Sequence, residues 1–290
     1  MNYAFAFTQH DRSAHLRKGE WRTPDLKVMV IGGDYVATDR AAADGDRGIR
    51  WLTMDEAPEG EWAFLGYKDG QGYAAVMVDR VDPELTPVSL RVLGPGIAPD
   101  EASLAVHAVG LARWHQTHPH CARCGVLTEP AQAGHTRICP SCGTEHFPRT
   151  DPAVIMLITD GADRALLGRG TGWPENRFST LAGFVEPGET LDDAVRREVK
   201  EEAGIEVAEV TYAGSQPWPF PSSLMLGFIG TASTFDIKVD SDEIAEARWF
   251  SRREITDLTA SGELLFPPSV SISRWLIDSW HGGDITGRWT

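Results

Sequence analysis

Residues Gly183 to Ile205 read GFVEPGETLDDAVRREVKEEAGI and bring Glu198, Glu201 and Glu202 within little more than one helical turn. Thr190 followed three residues later by Asp193 is a capping-box-like helix start, and Gly204 is a natural C-terminal stop. Between them lie good helix formers: Leu, Ala, Val, Arg, Glu and Lys. At 100° per residue, Leu191, Ala194, Val195, Val199 and Ala203 form one apolar stripe. Glu198 and Glu202 fall within or beside that stripe, and Glu201 at its edge. Asp193, Arg196 and Lys200 take the opposite, solvated face. A Glu-rich helix is ordinarily just a charged surface, but here two carboxylates point inward. Inward carboxylates are costly unless paired or metal-bound, and clustered like charges resist ionising together. A hard divalent cation, Mg²⁺ or Mn²⁺, removes both costs. Arg197 is the alternative, as a plain salt-bridge partner.

The four cysteines of the chain, Cys121, Cys124, Cys139 and Cys142, form C-x2-C-x14-C-x2-C, with Gly125 and Gly143 directly after each pair. Glycine there permits the tight knuckle that points two thiolates at one ion. Four soft thiolates at this spacing predict a closed, structural Zn²⁺ site. Two disulfides are the competing reading. Against them, the chain uses no other cysteine, and its first twenty residues have neither the apolar core nor the cleavage site of a secretory signal.

A third array, SQPWPFPSS over Ser215 to Ser223, carries prolines at 217, 219 and 221. They rule out a helix and a central strand and leave a stiff extended loop. Such a loop presents Trp218 and Phe220 at little ordering cost, and flat rings suit stacking on a planar base. A Pro-aromatic turn packed on the core is the alternative.

Gly183, Glu189, Arg197, Glu198, Glu201, Glu202 and Gly204, with Val199 and Ile205 in the aliphatic slots, match G-x5-E-x7-R-E-U-x-E-E-x-G-U, where U is a bulky aliphatic. This string resembles the Nudix box of hydrolases that cleave diphosphates linked to nucleosides. The array ten residues beyond it, SQPWPFPSS, resembles the SQPWPFPxS motif of the NADH pyrophosphatase type. The cysteine pairs are similar to the zinc ribbon upstream of the Nudix domain in those enzymes. The resemblance covers Pro119 to the C-terminus well, and the N-terminal part by position and general character only. It implies metal-dependent hydrolysis of NAD(H) to AMP and nicotinamide mononucleotide, or removal of an NAD cap from RNA 5′ ends by the same site. Glu198 and Glu202 would hold divalent cations, with Glu201 near the attacking water and Arg197 orienting the glutamates and pairing with Glu189. A third metal acid is expected at Glu243, with Glu246 as the alternative. Phe184, Gln216, Trp218 and Ser223 would contact substrate. Phe147 would approach a partner subunit's site in a homodimer. A non-catalytic nucleotide-sensing module is the remaining reading, and it predicts missing glutamates that this chain retains.

These motifs need elements to hold them. Strands are expected at LKVMVI, at WAFLGY and YAAVMV as a hairpin around a glycine turn, at PRTDPAVIMLIT and ALLGR, and at VAEVTYAG, SLMLGFIG and ARWF. Helices are expected from Asp100 to about His118, with Pro99 near the first turn, and over SVSISRWLIDSW. Asp39 to Gly48 reads as a loop. His107, His115, His118 and His120 read as surface or packed residues, and no chemistry is expected in the first 99 residues. The expected fold is α/β: a Nudix α/β/α sandwich with a mixed sheet, preceded by a zinc ribbon and a strand-rich N-terminal domain. The expected boundaries are 1–118, 119–147 and 148–290. With 27 basic and 42 acidic residues the net charge is −15, which does not attract long polyanions. Arg149, Arg164, Arg169, Arg177 and Lys200 are the candidates for a local RNA track. No apolar run reaches membrane-span length, and a cytoplasmic protein is expected.

Overall fold

The structure is a computed structural model and describes residues 3, 5–6, 8–19, 21–39, 48–239, 241–283 and 285–287. The loop expected at 39–48 therefore lies, except for its two ends, outside the described residues. The chain forms two compact units: Met1–Ala6, Asp151–Pro217 and Ser223–Thr290 in one, Phe7–Thr150 and Trp218–Ser222 in the other.

The second unit begins with strands β1 (Lys27–Gly32), β2 (Tyr35–Ala37), β3 (Glu61–Lys68), β4 (Gln71–Met77) and β5 (Pro87–Ser89), in sheet order β3-β4-β1-β2-β5. β3 and β4 form the expected hairpin: Lys68 pairs with Gln71, and Asp69 and Gly70 between them both have positive φ (51° and 80°), as a two-residue primed turn requires. A short helix α1 (Leu90–Leu93) precedes α2 (Pro99–Thr117). Pro99 sits in the first turn of α2, with Asp100 and Glu101 at its positive end. α2 is buried on most sides rather than along one stripe: Leu104, His107, Ala108, Leu111, Trp114 and His115 are all enclosed. His118 and His120 are exposed.

The ribbon contributes its own three-stranded sheet, β6 (Glu129–Ala131), β7 (Thr136–Ile138) and β8 (Glu145–His146). It clusters with the N-terminal strands into one compact unit. The reason is a buried arginine. Arg137 of β7 donates from Nη1 to both Glu61 oxygens (2.9 and 3.1 Å) and from Nε to Thr128 Oγ1 (2.8 Å). It also lies 2.6 Å from His115 Nδ1, so one guanidinium joins β3, α2 and the ribbon.

The other unit holds β9 (Asp151–Thr159), β10 (Arg164–Gly170), β11 (Leu181–Phe184), helix α3 (Leu191–Ala203), β12 (Val207–Trp218), β13 (Ser223–Ala232), β14 (Ile244–Ser251), α4 (Arg252–Ser261) and α5 (Ile272–His281). The sheet runs β12-β13-β9-β10-β14, with β11 paired to β9. β13 runs parallel to β9, while β10 and β11 run antiparallel to it, so the sheet is mixed as expected. One face packs Val154, Met156 and Phe228 against Ala194, Val195 and Val199 of α3. The other packs Leu157, Leu167 and Phe250 against Ile255 of α4 and Leu276 and Ile277 of α5. β12 differs from the expected loop: it continues through Pro217 to Trp218. Its place at the sheet edge permits this, because an edge strand tolerates a proline that donates no ladder bond.

Candidate active site

Helix α3 opens as its sequence predicts. Asp193 N donates to Thr190 Oγ1 (3.3 Å), Thr190 Oγ1 donates to Asp193 Oδ2 (2.7 Å), and Gly204 closes the helix at φ 69°. The stripe packs on the sheet with one exception: Leu191, in the first turn, is exposed. Glu198 and Glu202 are buried, 8% and 7% exposed, on the sheet-facing side. Glu201 projects from the edge, its side chain 55% exposed.

Gly183 on β11 makes room for this arrangement. A Cβ there would lie 1.9 Å from Glu198 Cδ, so the carboxylate rests on the strand backbone where no side chain fits. Arg197 fixes the remaining acids. Its Nε and Nη2 grip the Glu189 oxygens at 2.8 and 2.9 Å, in the bidentate geometry only arginine offers. Its Nη1 donates to Glu198 Oε1 (2.8 Å) and Glu201 Oε2 (2.9 Å), and Nη2 also donates to the Phe184 carbonyl (2.9 Å).

The two buried acids are set apart electrostatically. Burial raises the Glu198 carboxyl above its usual range, opposed by Arg197. Glu202 is pushed up to about 8, by burial first and then by Glu198, Glu243 and Glu201. Its Oε2 is buried without a hydrogen-bond partner. A carboxylate so placed is stable only as a neutral acid or beside a cation. All donors present are hard oxygens, so the cluster fits a hard divalent ion. Glu243, in the turn immediately before β14, is among the charges that act on both buried acids. Glu246 instead faces Arg169 at 3.4 Å.

The four cysteines converge as expected. All are free thiols. The Sγ pairs 121–142, 124–139 and 124–142 lie 3.6, 3.5 and 3.6 Å apart. Zinc–sulfur bonds of about 2.3 Å in a tetrahedron require sulfur edges of about 3.8 Å, whereas a disulfide would need about 2.05 Å. Gly125 and Gly143 adopt φ 77° and 70°, and their amides close the knuckles onto the Cys121 and Cys139 carbonyls at 2.9 Å. Among the described residues, these thiolates are the one set of three or more His, Cys, Asp or Glu ligand atoms lying within 4.8 Å of one another.

The expected substrate residues divide. Phe184 is 59% exposed at the end of β11. Trp218 ends β12 and meets Phe220 edge-on, ring centroids 5.1 Å apart. Ser223 opens β13 opposite Asp151. Gln216 departs from the expectation that it lines a pocket. It is 1% exposed, its Nε2 donates to the Val270 carbonyl (2.6 Å), and its Oε1 accepts from Ile272 N (2.9 Å). Its amide thus pins the segment leading into α5. Phe147 is 66% exposed after β8. From the first 99 residues, the Arg91 guanidinium sits 4.3 Å from the Phe220 ring centroid and 5.6 Å from that of Trp218. Arg91 lies 129 residues before Phe220, and no spacing rule links them.

Residues 149–267 match the NUDIX domain family and residues 116–147 the NADH pyrophosphatase zinc ribbon domain. The NAD-capped RNA hydrolase NudC of Mycobacterium bovis is 43% identical over 244 residues, covering 79% of this chain and 78% of that protein. The chain belongs to the Nudix hydrolases that carry the NADH pyrophosphatase zinc ribbon. The NudC protein of Mycobacterium tuberculosis is 42% identical over the same coverage. The human NAD-capped RNA hydrolase NUDT12 is 43% identical over 192 residues, 62% of this chain and 42% of that longer protein. Both Nudix α3 and the four zinc-type thiolates lie inside the matched segments.

Proposed function

We propose that this chain hydrolyses the diphosphate of NAD(H), giving AMP and nicotinamide mononucleotide, and accepts the NAD group free or at the 5′ end of an RNA. The buried Glu202 carboxyl beside Glu198, its Oε2 without a hydrogen-bond partner, carries the reading, because its charged form is stable there only beside a cation. Relatives named NAD-capped RNA hydrolases favour the capped end as a substrate alongside the free dinucleotide.

Glu198, Glu202 and Glu243 would hold Mg²⁺ or Mn²⁺. When bound, such ions neutralise phosphoryl charge and make a coordinated water more acidic. Glu201, exposed and steadied by Arg197 Nη1, would take a proton from the water as its oxygen bonds to phosphorus and the bridging P–O bond breaks. Arg197, locked to Glu189, holds the array in place. Phe184 and Trp218 would stack on the two rings of the dinucleotide, and Ser223 would contact its ribose. Gln216 would serve by fixing the 270–272 backbone. Zn²⁺ in the ribbon is structural. We infer a cytoplasmic homodimer with modules at 1–118, 119–147 and 148–290, in which Phe147 approaches the partner's site. Light scattering at the monomer mass would overturn the dimer.

The test compares kcat/KM for NADH and for NAD-capped RNA in Mn²⁺, with Glu202→Gln as control. Cleavage to AMP and the mononucleotide, with at least about a tenfold loss in the variant (roughly 1.4 kcal/mol of barrier), supports the assignment. Failure to cleave either substrate points to a nucleotide-binding module without catalysis.

A further inference from the structure

We propose that Arg12, Arg17 and His107 form a second binding site, in the unit that carries β1–β5 and the ribbon, and that it takes a phosphate-type oxyanion. The site uses none of the carboxylates of the candidate active site, so it stands independently of the diphosphatase reading.

A close backbone approach brings the segment before β1 into place. Asp11 and Tyr67 exchange amide-to-carbonyl hydrogen bonds at 2.8 Å in both directions. Gly66 beside them takes φ 124°, and a Cβ there would stand 2.0 Å from the Asp11 carbonyl oxygen, so glycine alone lets the segment lie against β3. From there His10 reaches α2.

The hydrogen bonds at α2 run in one direction. Gln9 N donates to Ser103 Oγ (3.1 Å), and the Ser103 hydroxyl donates to His10 Nδ1 (3.0 Å). A neutral His10 then carries its hydrogen on Nε2 and donates it to His107 Nδ1 (3.3 Å). A neutral His107 in turn carries its own hydrogen on Nε2. Burial keeps both rings neutral at pH 7, taking His10 down to about 4 and His107 well below its usual value. His107 is 6% exposed, and that last Nε2 is buried with no hydrogen-bond partner. The relay thus starts at a backbone amide and ends at a donor that gives to nothing.

Arg17 Nε is a second buried donor without a partner. Among the described residues, neither Arg12 nor Arg17 is held by a carboxylate. Burial lowers the pKa of both guanidiniums with no acid opposing it, and Arg12 adds to the effect on Arg17. Arg197, gripped by three glutamates, is shifted the opposite way. The charges that bear most on His107 are Arg12, His135, His10 and Arg17, all basic. Asp11, the acid beside Arg12, turns Oδ1 to the Ser13 amide at 2.8 Å and lends its charge to His10.

A chain with 42 acidic and 27 basic residues has carboxylates to spare, yet none closes this cluster. Buried donors left unpaired carry their full desolvation cost, and gathered like charges repel. An oxyanion removes both. Its oxygens match the forked N–H groups of guanidinium, and a dianion balances two arginines. Phosphate, inorganic or as the monoester of a nucleotide, has that charge near neutral pH.

The experiment titrates inorganic phosphate, and in parallel AMP, into the full-length protein by calorimetry at pH 7. No Mg²⁺ or Mn²⁺ is added, ionic strength is held with chloride, and hydrogen exchange is followed over residues 9–17 and 103–107. The expected result is saturable binding that slows exchange in both segments, with Kd raised about tenfold or more in Arg17→Gln. Without phosphate, Arg17→Gln should be at least as heat-stable as wild type, because it separates like charges. An arginine with a purely structural role would instead lose stability there. If Arg17→Gln does not fold, Arg12→Gln, altered at an exposed residue, carries the same test. Tighter binding of AMP names a nucleotide monoester as the occupant, and tighter binding of phosphate names the free ion; either keeps the site. Absence of binding by both would overturn the proposal, as would protection confined to other segments, equal protection by chloride alone, or an unchanged Kd in the variant. The orphaned donors would then belong to buried water. Protection of these segments by an oligoribonucleotide, and by neither small anion, would also overturn it and make the surface an RNA contact.

Discussion

At the scale of single residues, the site depends on what is missing at 183 as much as on what is present at 198 and 202. The Glu198 carboxylate occupies the space a side chain at 183 would fill, 1.9 Å from an ideal Cβ. Gly183→Ala must therefore move either the strand or the acid. Because the carboxylate is the freer of the two, we expect it to swing away. The expected outcome is at least about a 30-fold fall in kcat, near 2 kcal/mol of barrier, with a Tm within a few degrees of wild type. Unchanged kcat would show that Glu198 does not act from this position. The acids themselves were legible in the sequence, since helical arithmetic alone turns Glu198 and Glu202 inward. Two things were not legible. Gln216 sits in a motif suggestive of ligand binding, yet its buried amide is consumed by the Val270 and Ile272 backbone. Arg91 meets the Phe220 ring from 129 residues away, and only tertiary structure creates that contact.

At the scale of elements, local signals succeeded where they were complete. Capping residues bounded α3, and the Asp69-Gly70 turn fixed the β3–β4 register. The helix α4 was missed although its signal was present: Ser251 and Glu254 form a full capping box, and Gly262 ends the helix at φ 79°. β11 is only four residues long and exists because β9 offers it a partner, which no local propensity reveals. The ribbon's strands span three, three and two residues, too little to hold themselves by burial. Cys124→Ser should release zinc and strip hydrogen-exchange protection from residues 121–146 while α3 and β9 stay protected. Retained protection in the ribbon would refute a structural metal. Helix α2 carries a different sensitivity. His107 is enclosed by His10 and His135 and faces Arg12 and Arg17, and burial drives its pKa well below the usual value. Burial takes His10 and His135 down to about 4. Their folded-state values lie below the unfolded value of about 6.5. Above that pH both states are neutral and nothing is lost. As pH falls from about 6.5 towards 4, the unfolded chain takes up protons that the folded chain refuses, so stability drops in that window. The urea midpoint should fall between pH 7 and pH 5, and fall less in His10→Gln. An equal fall in the variant would remove His10 from the account.

At the scale of the whole molecule, composition constrains how the substrate can be held. A net charge of −15 repels a polyanion at long range, so recognition of capped RNA must come from short contacts at the capped end. The sequence showed the deficit of positive charge but not its disposition. The structure pairs Arg164, Arg169 and Lys200 with Asp160, Glu246 and Glu206 at 2.7, 3.4 and 2.8 Å, which spends three of the five candidate cations locally. Each phosphate neutralised on a single strand contributes about −0.7 to the slope of log affinity against log salt. A protein that grips the cap by rings and metal, with most of its candidate cations spent locally, releases few counterions. For capped RNA, log KM against log monovalent salt at fixed Mn²⁺ should therefore rise with a slope below about 1.5, that is, two phosphates or fewer. NADH should show nearly the same slope, because both substrates would share the same diphosphate contacts. A slope for capped RNA exceeding that for NADH by about 2 or more would mean at least three further phosphates are engaged. That result would require a basic track that the paired arginines do not supply, and it would place the determinant of RNA preference in charge.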